Sequence, residues 1–140
     1  MIENKVVLVT GGRRGLGAAI VDEVVSRGAR KVYSTARESF EDPREQVVTK
    51  QLEVTSEDSV AALARELTDV EIVVNNAGVL HPDSLLTGDF DRIDATFQTN
   101  VFGPLRVVRA FAPTLKNHGG GAIVNIHSVL SWLGGAGAYG

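Results

Sequence analysis

Thr10-Gly11-Gly12-Arg13-Arg14-Gly15-Leu16-Gly17 brings glycines, a hydroxyl and two arginines into one short stretch. Gly11, Gly15 and Gly17 set the spacing. Lacking Cβ atoms, they permit a tight turn and a close approach by a ligand. The apolar run Val6-Val7-Leu8-Val9 leads in, and an amphipathic run from Leu16 to Val25 leads out. The turn therefore joins a strand to a helix N-terminus. The first N–H groups of that helix lack intrahelical partners and sit at the positive end of its dipole, which favours a phosphate. The spacing, G-x-x-x-G-x-G, is not the G-x-G-x-x-G of the general dinucleotide fingerprint. Taken alone, it also fits an ordinary glycine-rich strand-to-helix turn.

The elements that must hold this turn follow from periodicity. Lys5 to Thr10 reads as a buried strand, because it is a short β-branched run ending in glycine. Gly15 to Arg27 reads as a helix with a broad apolar face and Gly28 just beyond its end. Lys31 to Ala36 is a second strand, and the polar stretch 37–44, with Pro43, is a loop. Val47 to Val54 is a third strand. Thr55-Ser56-Glu57-Asp58 opens a helix whose inner face is Val60, Leu63, Ala64 and Leu67. Val70 to Val74 is a fourth strand, closed by the polar turn Asn75-Asn76-Ala77-Gly78. Residues 80–88 read as loop.

From Asp89 to Lys116 the pattern is helical, with Phe90, Ile93, Phe97, Val101, Leu105, Val108 and Phe111 on one side. Gly103-Pro104 should bend or restart this helix, and Pro113 should disturb it again. Ala122 to Ile126 is a fifth strand, and 127–140 is a glycine-rich loop holding Trp132 and Tyr139. Strands alternating with helices predict an α/β fold: a Rossmann-like, doubly wound parallel sheet with ligands bound beyond the carboxyl ends of its strands. Gly11, Arg37, Asn75 and Ser128 should gather at that edge.

Composition narrows the function classes. The chain has 140 residues, enough for one domain with a real core, and 44% hydrophobic and 22% charged residues fit a globular protein. A net charge of -3 implies no broad basic surface, so nucleic acid is not an expected partner. The absence of cysteine excludes disulfides, thiolate metal sites and cysteine nucleophiles, and suits a reducing cytoplasm. His81, His118 and His127 have no ligand-like spacing, so no metal site is expected. No apolar run approaches the ~18 residues of a membrane span, and with the first strand beginning so early no signal peptide is expected.

With these positions placed, the chain resembles the short-chain dehydrogenase/reductase family along its whole length. Thr10-Gly11-x-x-x-Gly15-x-Gly17 matches the family's cofactor motif, and Asn75-Asn76-Ala77-Gly78 its fourth-strand motif. Asn100 matches the family asparagine. Ile123-Val124-Asn125-Ile126-His127-Ser128 matches the strand that ends in the catalytic serine. Tyr139 lies where the catalytic tyrosine belongs, with a slightly shorter gap from the serine than is usual. Several motifs in the right order are far more specific than any one of them.

The resemblance implies a nicotinamide cofactor held by Gly11, Arg13, Arg14, Gly15, Leu16 and Gly17 of the turn. Asn76, Ala77 and Gly78 after the fourth strand complete its site, with Glu53 and Val54 beside the adenine, Glu53 replacing the usual aspartate. An acid near the end of the second strand marks an NAD site. Here that slot falls at Thr35 or Ala36, neither acidic, and Arg37 follows at once. Arg14 and Arg37 flanking one point suit a 2′-phosphate, which points to NADP(H). Two solvated surface arginines are the plainer alternative. The implied reaction is hydride transfer between nicotinamide and a small carbonyl or alcohol substrate. Tyr139 would be the proton donor, Ser128 would polarise the oxygen, and Asn100 would shape the helix bend and hold a relay water.

Plainer roles stand beside these. Asn100 could cap the second part of a broken helix, Ser128 could satisfy a strand end, and Tyr139 could be a loop aromatic over the core. Trp132 and Leu133 could line the substrate pocket or pack under the loop. A tyrosine needs a nearby cation to lower its pKa from ~10. The family's lysine would stand four residues after Tyr139, past Gly140. The expectation is thus the N-terminal, NADP-binding part (1–140) of a longer enzyme. A catalytically incomplete nucleotide-binding or interaction protein is the alternative. A homodimer or homotetramer, formed through the helix around Val101 to Phe111, is also implied by resemblance.

Overall fold

The computed structural model describes residues 2–81, 84 and 86–129. Its strands are β1 (Val6–Val9), β2 (Lys31–Ala36), β3 (Val47–Gln51), β4 (Ile72–Asn75) and β5 (Ala122–Asn125). Its helices are α1 (Gly15–Ser26), α2 (Glu57–Glu66), α3 (Phe90–Phe97) and α4 (Gly103–Asn117), with a π-helical turn at Gln98–Phe102 joining α3 to α4. The five strands form one parallel sheet in the order β3-β2-β1-β4-β5. This is the expected Rossmann-like α/β architecture. The chain winds from β1 outward to β3, then returns to lay β4 on the other side of β1. That reversal opens a crevice at the carboxyl ends of β1 and β4.

Alternation along β1 explains the two layers. Val6 and Leu8 pack with Leu52, Val60, Leu63 and Phe111, while Val7 and Val9 pack with Val21, Val24 and Val32. All four β1 residues are buried, as a strand covered on both faces requires. At ~25 cal/mol per Å² removed from water, each such valine or leucine is worth about 1.5–3 kcal/mol. The central strand is therefore a rigid base for the turn that follows it.

One expectation for the long helix is corrected. The predicted apolar face is largely outside: Phe90 is 83% exposed, and Phe97, Val101 and Leu105 are also exposed. The buried positions are Thr96, Gly103, Val107, Phe111 and Leu115. The buried stripe keeps helical spacing across the π turn at Gln98–Phe102, but it runs through Thr96 and Gly103, residues that hydrophobicity does not mark. Gly103 then sets the contact, since a Cβ there would stand 3.0 Å from Val54 Cγ2. Pro113 lies inside α4. Pro113 and Arg109 are both exposed, so water can reach the carbonyl that loses its helical donor.

Candidate active site

The glycine turn is tied to the end of β4 by Thr10 and Asn76. The Thr10 N–H donates to the Val74 carbonyl at 3.0 Å. Its Oγ1 accepts from the N–H groups of Asn76 and Ala77, both at 3.0 Å. The Asn76 amide donates to the carbonyls of Thr10 and Gly11, at 3.0 and 3.2 Å. The end of β1 and the end of β4 are thereby fixed side by side at the crevice.

Inside this latch, the glycines are steric requirements. Gly11 has φ +69° and Gly15 φ +58°, conformations that side chains rarely adopt. A Cβ on Gly17 would stand 2.0 Å from the Gly11 carbonyl oxygen. A Cβ on Gly12 would stand 2.2 Å from Ser34 Oγ, and the Gly12 N–H donates to the Thr35 carbonyl at 2.8 Å. Gly12 belongs to the site although its position in the motif carries no spacing signal; the reason for it is a β2 neighbour distant in sequence. Gly15, by contrast, would meet nothing within 4 Å. The turn is closed underneath and open above.

At the start of α1, Arg14 stands at the N-cap without a side-chain cap, and the first turn carries no acid. Leu16 at the same helix start is 60% exposed. α2 differs: Ser56 caps it by accepting from the Ser59 N–H at 3.2 Å, and Glu57 and Asp58 occupy its first turn.

Positive charge collects beside the open turn. Arg13 Nη1 lies 2.7 Å from Glu38 Oε2. The hydrogen bond from Arg13 holds the Glu38 carboxyl below the usual carboxylate range, and the charges of Arg13, Arg37 and Arg14 add to it. All three guanidiniums therefore act on one exposed carboxylate. Arg14 and Arg37 are exposed and, among the described residues, their side chains make no ion pair or hydrogen bond.

Three of the sequence-predicted cofactor residues take supporting positions. The Thr35 side chain is 1% exposed, with its hydroxyl 3.5 Å from the Val9 carbonyl, so what it offers the turn is its backbone carbonyl. Glu53 Oε1 accepts from the Thr55 N–H and hydroxyl, at 3.1 and 2.9 Å. Val54 is buried against Gly103. Ala77 packs partly buried against the core, and Gly78 is exposed.

Asn100 lies within the π turn. Its Oδ1 accepts from the Val79 N–H at 2.9 Å, and its Nδ2 donates to the Val79 carbonyl at 2.8 Å. Both ends of the amide clasp the segment leaving β4. Asn100 does not cap α4, which has no side-chain cap. Four residues before Asn100, the Thr96 hydroxyl donates to the Arg92 carbonyl at 2.9 Å and lies 3.1 Å from His81 Nδ1. With its proton so used, Thr96 accepts from His81 Nδ1–H. His81 thus ties the same segment to α3, a link that spacing alone did not reveal.

Ser128 is exposed, three residues past Asn125, which pairs with Asn75 in register and by side chain at 2.9 Å. Ser128 therefore stands beyond the carboxyl end of β5, on the sheet edge that carries the glycine turn and the Asn100 clasp. Tyr139, Trp132 and Leu133 lie outside the described residues. Two grooves, of about 380 and 640 Å³, lie elsewhere: one between α2 and α4, the other at the amino end of the sheet beside β4. The candidate site is an open crevice, and neither groove includes the turn. Among the described residues, no three His, Cys, Asp or Glu side chains gather as metal ligands, and no helix is long and apolar enough to cross a membrane.

The sequence pattern described as short chain dehydrogenase matches residues 5–140. The chain belongs to the short-chain dehydrogenase family. A short chain dehydrogenase from Burkholderia cenocepacia, solved in complex with NADP, is 36% identical with a TM-score of 0.92, over 99% of this chain and 59% of that one. ElxO with NADP bound is 26% identical with a TM-score of 0.86, over 96% of this chain and 60% of that one. Among curated relatives, the 3-oxoacyl-(acyl-carrier-protein) reductase of Vibrio cholerae is 30% identical, over 97% of this chain and 59% of its own length. The 3-beta-hydroxysteroid dehydrogenase of Comamonas testosteroni is 33% identical, over 94% of this chain and 55% of its own length. The chain thus spans less than two thirds of these short-chain dehydrogenases.

Proposed function

We propose that this chain is the NADP(H)-binding part of an oxidoreductase that moves a hydride between nicotinamide and a carbonyl or alcohol carbon. The observation that carries the reading is the glycine turn: open above, joined to an uncapped helix start, and flanked by Arg13, Arg14 and Arg37. Unspent N–H groups at a helix start suit a pyrophosphate. Guanidiniums in a fork geometry suit a 2′-phosphate, and no acid stands at Thr35 or Ala36 to take ribose hydroxyls instead. The relatives solved with NADP support the same choice.

The bound cofactor supplies the hydride. Gly11, Gly15, Leu16 and Gly17 line its pyrophosphate path, and Arg13, Arg14 and Arg37 hold the 2′-phosphate. Glu53 and Val54 border the adenine, and Ala77 and Gly78 the inner ribose. Asn76 and the Thr35 carbonyl keep the turn in shape. Hydride arrival leaves negative charge on the substrate oxygen, which needs a donor and a proton. Ser128 donates to that oxygen, and Tyr139 delivers the proton. Asn100 positions the segment after Gly78 that walls this space. The protein works in the cytoplasm as a homodimer or homotetramer, with the exposed side of α3 and α4 around Val101 and Leu105 as its contact face.

The test uses the purified full-length protein with NADPH and a broad panel of ketones and aldehydes. Substrate-dependent NADPH oxidation that Tyr139→Phe abolishes, with cofactor binding retained, is the expected result. NADPH binding without turnover on any substrate would leave a nucleotide-binding protein and remove the enzyme.

A further inference from the structure

We propose that Glu38 is a built-in competitor for the phosphate pocket, which sets how strongly this protein prefers NADP(H) over NAD(H). The proposal rests on the NADP(H) reading above. Glu38 follows Arg37 directly past the end of β2, and its Oε2 reaches back 2.7 Å to Arg13 Nη1 in the glycine turn. Its carboxylate is thus an anion already lodged among the arginines that a 2′-phosphate would use. The contact engages one guanidinium nitrogen only, and the two side chains are 46% and 80% exposed. An exposed ion pair of this kind is weak and screened by salt. A phosphate monoester carries close to two charges and three acceptor oxygens, and pairs with guanidinium more strongly than one carboxylate does.

Binding of NADP(H) therefore displaces Glu38 from Arg13 but leaves its charge nearby. The displaced carboxylate repels the phosphate and lowers the preference that three arginines would otherwise produce. NAD(H), with no 2′-phosphate, leaves the Arg13–Glu38 pair intact. Glu38 thus moderates selectivity, and the protein retains use of both cofactors. No fold contact is at stake, because among the described residues the Glu38 side chain bonds only to Arg13.

The experiment measures Kd for 2′,5′-ADP, 5′-AMP, NADPH and NADH by calorimetry on full-length wild type and Glu38→Gln, at low salt and at about 0.5 M NaCl. Glu38→Gln should tighten 2′,5′-ADP and NADPH by roughly three- to tenfold at low salt, the effect of one removed like charge, and less at high salt. 5′-AMP and NADH should change by less than about twofold, since neither meets the removed charge. If wild type prefers 2′,5′-ADP to 5′-AMP and Glu38→Gln leaves that preference unaltered, the competitor role falls and the NADP(H) reading stands. If Glu38→Gln weakens 5′-AMP and NADH instead, Glu38 reads ribose hydroxyls and the proposal is overturned. If wild type shows no preference for 2′,5′-ADP, the NADP(H) reading fails and the proposal with it.

Discussion

The two ends of the sheet handle charge in opposite ways. At the amino end, Glu71 takes Lys5 Nζ at 2.7 Å, the Val6 N–H at 3.1 Å and Arg30 at 3.7 Å. Nearby, Asp69 takes Lys31 at 2.7 Å and the Tyr33 hydroxyl at 2.9 Å. Each carboxylate there is met by cations and donors of the protein itself. At the carboxyl end, only Arg13 of Arg13, Arg14 and Arg37 pairs with a carboxylate, that of Glu38, and the N–H groups that open α1 have no side-chain cap. Charge matched internally contributes to holding strands in register. Charge left unmatched at a rigid edge is available to a ligand, at a cost in folding stability that binding then offsets.

The sharpest way to break this contrast is at Gly17. An added Cβ would stand 2.0 Å from backbone that Asn76 also holds, so the neighbour cannot yield cheaply. Gly17→Ala should lower stability by about 3 kcal/mol, as overpacking against fixed backbone does, and lose cofactor binding at concentrations that saturate wild type. Thermal melts and fluorescence titration with NADPH check both parts.

Arg37→Ala tests the carboxyl end without touching the fold. Loss of one charge-assisted phosphate contact should weaken NADPH by about 1.5–3 kcal/mol, with NADH and the melting temperature nearly unchanged. Equal losses for both cofactors would remove Arg37 from the phosphate site.

Asp69→Asn tests the amino end, with the smallest effect. Asp69 and Lys31 are each about one-third exposed, so solvent screening limits the loss to about 1 kcal/mol, with no change in cofactor binding. Burial pushes the Asp69 carboxyl up, but hydrogen bonds from Lys31 and Tyr33 outweigh it and hold it below the carboxylate range. A depressed folded pKa stabilises above the unfolded value, about 3.9, and that contribution is lost as pH falls through the folded value. The stability gap between wild type and Asp69→Asn should therefore be constant above about pH 5 and shrink below about pH 4. A gap that persists in acid would mean that packing, not the ion pair, is what Asp69 contributes.

Much of the fold was legible because it rests on local patterns. Val6-Val7-Leu8-Val9 is too apolar and β-branched for a solvent-facing segment, and the glycines after it announce a turn into a helix. The order of strands and helices then restricted the topology to a parallel sheet. The helix face between Phe90 and Phe111 was not legible, because the buried stripe passes through Thr96 and Gly103, which hydrophobicity does not mark, while Phe90 and Phe97 lie outside. The candidate site divides in the same manner. Gly11, Gly15 and Gly17 could be singled out by spacing. Gly12 could not, because its reason is Ser34 on another strand, nor could the use of both ends of the Asn100 amide on Val79.

By itself, then, the sequence determined the element order, the phosphate-suited turn and the charge beside it, since each depends on residues within a few positions of one another. Only the tertiary structure decided which of those residues bond to one another. The Thr35 hydroxyl is buried and the Glu53 carboxylate binds Thr55, while Glu38 reaches across to Arg13 from the end of a neighbouring strand. Such roles depend on contacts between strands and helices far apart in the chain, and those distances are set by packing, which no local pattern encodes.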